Sequence, residues 1–170
     1  FTITVNPTPD VADPADQTVC NGSNTTAVTF SGGVVGTTFN WTNDNTSIGL
    51  AASGSGNIGV FAGVNTGSAP VTATITVTPV FAGCTGASQN FTITVNPTPN
   101  VADPVDQVVC NTAMTLAVNF TGTVGGTTFD WTNNDTSIGL AASGSGNIAA
   151  FAAVNAGTTP VTATITVTPS

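Results

Sequence analysis

Residues 71–78 read VTATITVT and alternate without a break. Val71, Ala73, Ile75 and Val77 fall on one side, and Thr72, Thr74, Thr76 and Thr78 on the other. A period of two marks a strand with one face in a core and one in water. The same eight letters return at 161–168. Outward from this stretch the pattern repeats in shorter pieces. Phe1, Ile3 and Val5 alternate with Thr2 and Thr4. Residues 38–42 put Phe39 and Trp41 on one face, and residues 26–30 do the same for Val28 and Phe30. Ile48, Leu50 and residues 58–64 supply two more apolar runs. The clusters Asn43-Asp44-Asn45 and Gly54-Ser55-Gly56 read as turns between them. The expectation is an all-β chain.

The chain is a tandem repeat. FTITVNPTP occupies residues 1–9 and again 91–99. Cys20 then matches Cys110, Trp41 matches Trp131 and Pro70 matches Pro160 with no gap, and roughly three quarters of positions 1–80 are identical to their counterparts. A period of this length exceeds a helical solenoid unit and suits a β-sandwich module of about seven strands. Pro97 and Pro99 cannot continue a central strand, because proline has no N–H to donate. Residues 96–99 therefore read as the linker. The expected organisation is residues 1–7 as the last strand of a preceding module or a donor strand, 8–97 as a complete module, and 98–170 as a module lacking its last strand.

Composition narrows the function. The chain has 170 residues, a formal charge of −8, and no Lys, Arg or His. Thr supplies about a fifth of it. Neutralising phosphates takes Lys or Arg, so nucleic acid and anionic membranes are poor partners. No apolar run is long enough to insert in a bilayer. Ion pairs between side chains cannot form, so stability must come from burial, ladders and covalent links. The inventory for chemistry is Asp, Ser, Thr and Cys, with no base to activate a nucleophile. The expectation is no enzyme, no catalytic residue and no cofactor.

Four groups of residues invite a specific reading. Cys20 and Cys84 fall in the first module and Cys110 in the second, where the position matching Cys84 is expected beyond Ser170. A Cys20–Cys84 disulfide near one pole is the simple expectation. It would be worth about 4 kcal/mol in the chain-entropy model and would imply an oxidising compartment. Metal binding by these cysteines lacks any paired spacing. Asp10, Asp13 and Asp16 cluster after the first linker, as Asp103 and Asp106 do after the second, and oxygen ligands there are candidates for Ca²⁺. The bland reading is a Pro-flanked turn. Trp41 and Trp131 are expected in the core rather than in a sugar-stacking platform. The Thr rows are expected to face solvent, where O-linked sugars are compatible with them.

FTITVNPTP, the VCN around Cys20, TTFNWTN around Trp41, SIGLAASGSGNI from Ser47 and PVTATITVTP from Pro70 together resemble PKD-like repeats of very large bacterial surface proteins, gliding-motility adhesins among them. The resemblance spans nearly the whole chain. It implies tandem immunoglobulin-like sandwiches, an extracellular location on a bacterial surface, and a filament or adhesin role with no catalytic residue. Two functions follow as expectations. In the first, the module is structural, and Phe1, Ile3 and Val5 of one copy or adjacent repeat complete the next module head-to-tail. In the second, polar loops at one pole grip a surface glycan; the loops that differ most between repeats are 22–25 and 33–35, against 112–115 and 123–125.

Overall fold

Thr and β-branched residues in strict alternation leave the backbone extended, with one face to bury. The computed structural model describes all residues, Phe1–Ser170, as two compact units, Phe1–Thr98 and Pro99–Ser170. The first unit contains β1 (Gln17–Cys20), β2 (Thr38–Asn43), β3 (Ser53–Ser55), β4 (Val71–Phe81), β5 (Cys84–Thr85) and β6 (Gln89–Asn96). Its sheet runs in the order β1-β6-β4-β2-β3, with β5 folded back on β4. β6 is antiparallel to β4, pairing Val71 with Val95 and Val77 with Gln89. β1 is parallel to β6, from Gln17 opposite Ile93 to Cys20 opposite Asn96.

A second layer covers this sheet. It is built from extended segments joined by the isolated bridges Asn24–Ala62 and Val28–Ile58. Val28, Phe30 and Ile58 from this layer share one core with Trp41, Ile75, Val77, Phe91, Ile93 and Val95. The unit is thus an immunoglobulin-like β-sandwich. Residues 26–30 and 58–64, expected as regular strands, are not, because side chains occupy the backbone groups that a ladder would use. Gln17 clasps Thr26: its Oε1 accepts from the Thr26 N–H (2.9 Å) and its Nε2 donates to the Thr26 carbonyl (3.1 Å). Asn57 Oδ1 accepts from the Phe30 N–H, and Thr25 Oγ1 from the Phe61 N–H.

Trp41 lies in the core, 8% exposed. It faces Gly54 across the β2–β3 ladder, and its indole leaves no room for a Cβ there. Trp131 stands over Gly144 in the same way. Both indole N–H groups are buried without a partner. The cost of that, about 1–3 kcal/mol, is offset by the large apolar area the ring buries.

The second unit repeats this plan in part. It contains β7 (Phe129–Asn133), β8 (Ser143–Ser145) and β9 (Ile165–Pro169), ordered β8-β7-β9. The bridges Met114–Ala152 and Val118–Ile148 recur, and Gln107 clasps Leu116 as Gln17 clasps Thr26. Residues 107–110, the counterpart of β1, form no strand, and neither do residues 161–164, the counterpart of the first turns of pairing in β4. In the unassembled chain, Phe91→Ala is expected to cost about 3–5 kcal/mol and Ile93→Ala about 2–5 kcal/mol of first-unit stability. The same changes at Phe1 and Ile3 are expected to stay within about 0.5 kcal/mol. Urea unfolding followed by tryptophan fluorescence measures all four.

Candidate functional site

The slot filled by β6 in the first unit shows what a last strand does in this module. Phe91, Ile93 and Val95 point inward and are 2%, 0% and 0% exposed. The Phe91 ring meets Phe30 edge-on, with centroids 6.3 Å apart. Thr92 and Thr94 lie on the other face, where the Thr94 and Thr72 hydroxyls are 2.8 Å apart. Two polar side chains and one backbone N–H fix the register from both sides. Asp16 Oδ1 accepts from the Thr92 N–H at 2.6 Å. Asn65 Nδ2 donates to the Val95 carbonyl at 2.7 Å. The Asn21 N–H donates to the Asn96 carbonyl at 2.8 Å.

In the second unit no strand pairs with the outer edge of β9 or with residues 107–110. The side chains whose counterparts pack against β6 are correspondingly uncovered. Ile48, Ala73, Ile75 and Val77 are fully buried, whereas Ile138, Ala163, Ile165 and Val167 are only half-buried. Asn155 still bonds the Thr159 carbonyl, as Asn65 bonds that of Ala69, but makes no bond to a strand. An open edge next to uncovered apolar side chains is a site for an added strand.

The front segment, expected to serve as the last strand of another module, pairs with no strand of its own chain. Residues 1–5 have no ladder, and Phe1, Ile3 and Val5 are 114%, 77% and 87% exposed. One nine-letter sequence therefore occurs twice, buried at 91–99 and bare at 1–9. In the first unit the slot is already filled by residues 91–95, so the earlier copy cannot take it there.

The expected Cys20–Cys84 disulfide does not form. Cys20 ends β1 beside Asn96, at the pole where β4 starts; Cys84 pairs with Phe81, where β4 stops. β4 is 11 residues long, roughly 33 Å from end to end at about 3.3 Å per residue, while a disulfide needs Cα atoms within about 7 Å. All three cysteines are free, with Cys20 and Cys110 exposed and Cys84 half-buried.

The Ca²⁺ candidates are not gathered into a site; no group of three or more acidic, Cys or His side chains comes together. Asp10 Oδ1 accepts from the Gly33 N–H at 2.6 Å. At the matching position Asn100 makes the same bond to the Thr123 N–H at 2.8 Å. Asp44 and Asn134 likewise accept from Thr74 and Thr164, both at 2.7 Å. Where Asp and Asn exchange freely, the function is to accept a backbone proton, not to carry charge. The variable loops also part company. Gly22 bonds Gly63 near Cys20, whereas Gly33 is held by Asp10, next to Pro9 and Gly86 at the Cys84 end. They lie at two poles, so they do not make one gripping surface.

No protein-family model matches the chain, and no curated protein does. Among solved structures it is similar to one described as "Crystal structure of DIP-gamma IG1+IG2", at 10% identity and a TM-score of 0.46 over 95% of each chain. No helix is long and apolar enough to cross a membrane.

The bond from the Thr92 N–H holds the Asp16 carboxyl below its ordinary value, with the Thr92 side chain adding to the effect. The charged form is thus favoured by folding. Its contribution is complete above the ordinary aspartate range of about 3.9 and is lost as pH falls through the lowered folded value. Asp16→Ala is accordingly expected to lower the urea midpoint of the first unit at pH 7. The gap to the wild-type midpoint should close as pH falls towards about 2.

Proposed function

We propose that the chain is a structural repeat of an extracellular bacterial surface filament or adhesin stalk, of the PKD-like kind its sequence resembles, completed by strand addition. Phe1–Val5 of one copy takes, in the second unit of its neighbour, the place that Phe91–Val95 holds in the first unit. The observation that carries this reading is the double life of FTITVNPTP, buried once and bare once, on a chain whose second unit presents the matching edge unpaired.

The register transfers residue by residue. Phe1, Ile3 and Val5 take the ladder positions opposite Ile165, Ala163 and Val161, as Phe91, Ile93 and Val95 do opposite Ile75, Ala73 and Val71. The Thr2 N–H reaches Asp106 as that of Thr92 reaches Asp16. Thr4 meets Thr162 as Thr94 meets Thr72. The Val5 carbonyl receives Asn155 as that of Val95 receives Asn65. Each apolar side chain contributes about 1.5–3 kcal/mol on burial, and the main-chain ladder supplies direction. Each copy offers one strand and one edge, so the contact is head-to-tail and propagates without closing. In a continuous array of such modules the same strand is supplied by the next repeat of the same chain. Partners are then further copies or adjacent repeats. The absence of Lys and Arg argues against nucleic acid.

The purified chain is expected to form thin unbranched fibres in electron micrographs, with a concentration threshold seen in sedimentation. Ile3→Asp should raise that threshold about a hundredfold, the equivalent of about 2.8 kcal/mol, because it places a carboxylate in the core. A chain that stays monomeric at every concentration, or an Ile3→Asp variant that assembles like wild type, would sink the reading.

A further inference from the structure

Cys84, which cannot meet Cys20 within its own unit, lies at the pole where a strand-exchanged joint would bring the Cys110 of a neighbour. In the first unit Cys20 faces Asn96 in the parallel β1–β6 ladder. Cys110 is the repeat counterpart of Cys20, and Asn6 that of Asn96. A strand 1–6 seated in the second unit of a neighbour therefore brings Asn6 opposite that neighbour's Cys110, at the ladder spacing of about 4.8 Å. Asn6 has a second attachment, to its own unit: its Nδ2 donates to the Ala82 carbonyl at 3.2 Å. Ala82 and Gly83, with φ of 46° and 83°, form the two-residue turn that joins β4 to β5. Two left-handed residues in succession are what a tight hairpin turn needs. Cys84 is the first residue after that turn, paired with Phe81.

One residue, Asn6, thus stands between Cys110 of one chain and the hairpin bearing Cys84 of the next. We propose that these two cysteines form an intermolecular disulfide that locks the strand-exchanged joint. The inference rests on the strand-addition reading, which brings Asn6 to Cys110. The oxidant is a small disulfide. One cysteine thiolate attacks it, forming a mixed disulfide and releasing one small thiol; the other cysteine thiolate then displaces the second. Two protein thiols become one S–S bond, the small disulfide becomes two thiols, and the two protons end on those thiols. Cys20 takes no part in this joint: its neighbour in the ladder is Asn96 of its own chain.

The test compares the full chain with Cys20→Ser, Cys84→Ser and Cys110→Ser. Each is assembled under a thiol reductant, imaged by electron microscopy, then treated with oxidised glutathione and run on denaturing gels without reductant. Fibres should form under reduction in all four. After oxidation, wild type and Cys20→Ser should give a ladder of multimers that reductant collapses, and Cys84→Ser and Cys110→Ser should give at most dimers. The chain has no Lys or Arg for trypsin to cut, but cleavage at aspartates leaves the three cysteines on separate peptides, so the linked pair is read directly by mass spectrometry. Fibres with no denaturant-resistant ladder, or a linked pair other than Cys84–Cys110, overturn the inference and leave strand addition standing. No fibres under reduction in any variant overturns strand addition, and the inference with it.

Discussion

Burial of Phe91, Ile93 and Val95 between β1 and β4 is the interaction on which the first unit depends. β6 is the only strand that touches both, so β1 joins the sheet through β6 alone. The three side chains also close the core against Phe30 and the opposing layer. The second unit carries nearly the same sequence without such a strand, and the consequence is cooperative rather than local. Residues 107–110 lose their ladder, residues 161–164 lose theirs, and the buried core contracts to Phe120, Trp131 and Ile148. What survives is the part that never needed the strand: the Trp131–Gly144 stack, the two isolated bridges and the Gln107 clasp.

The polar chemistry is arranged for a chain that has no cationic side chains. Buried Asn43 and Asn133 each reach two backbone carbonyls and accept one N–H, tying the end of β2 or β7 to the 3-10 turn that follows. Asp and Asn replace one another between repeats at three such positions with the bond preserved. A carboxylate and an amide oxygen both accept a backbone proton, and neither arrangement needs a counter-charge. Asp16 does the same task for the strand slot itself, which makes register, rather than charge balance, the reason for an acid there.

The chain enters the first unit at one pole and leaves it at the other. Asn6 and Pro9 lie beside the hairpin and Gly86 at the Cys84 end, and β6 runs out past Cys20 at the opposite end. A module with its ends at opposite poles is suited to a linear series. The same geometry keeps the two cysteines of the first unit apart.

The repeat, the all-β class, the linker prolines and the core tryptophans were legible in the sequence because each rests on local periodicity or on residue chemistry. VTATITVT alternates whatever surrounds it, and Pro97 lacks an N–H in any fold. The acceptor roles of Asp10, Asp44 and Gln17 were not legible, since their partners lie well away along the chain. The disulfide expectation failed for the same reason: the spacing of Cys20 and Cys84 says nothing of the strand that separates them. The clearest case is FTITVNPTP. Its residues determine which side chains face a core and which face water. Only the tertiary structure decides whether a core is there to receive them, because a strand's backbone hydrogen bonds, unlike a helix's, all belong to its neighbours.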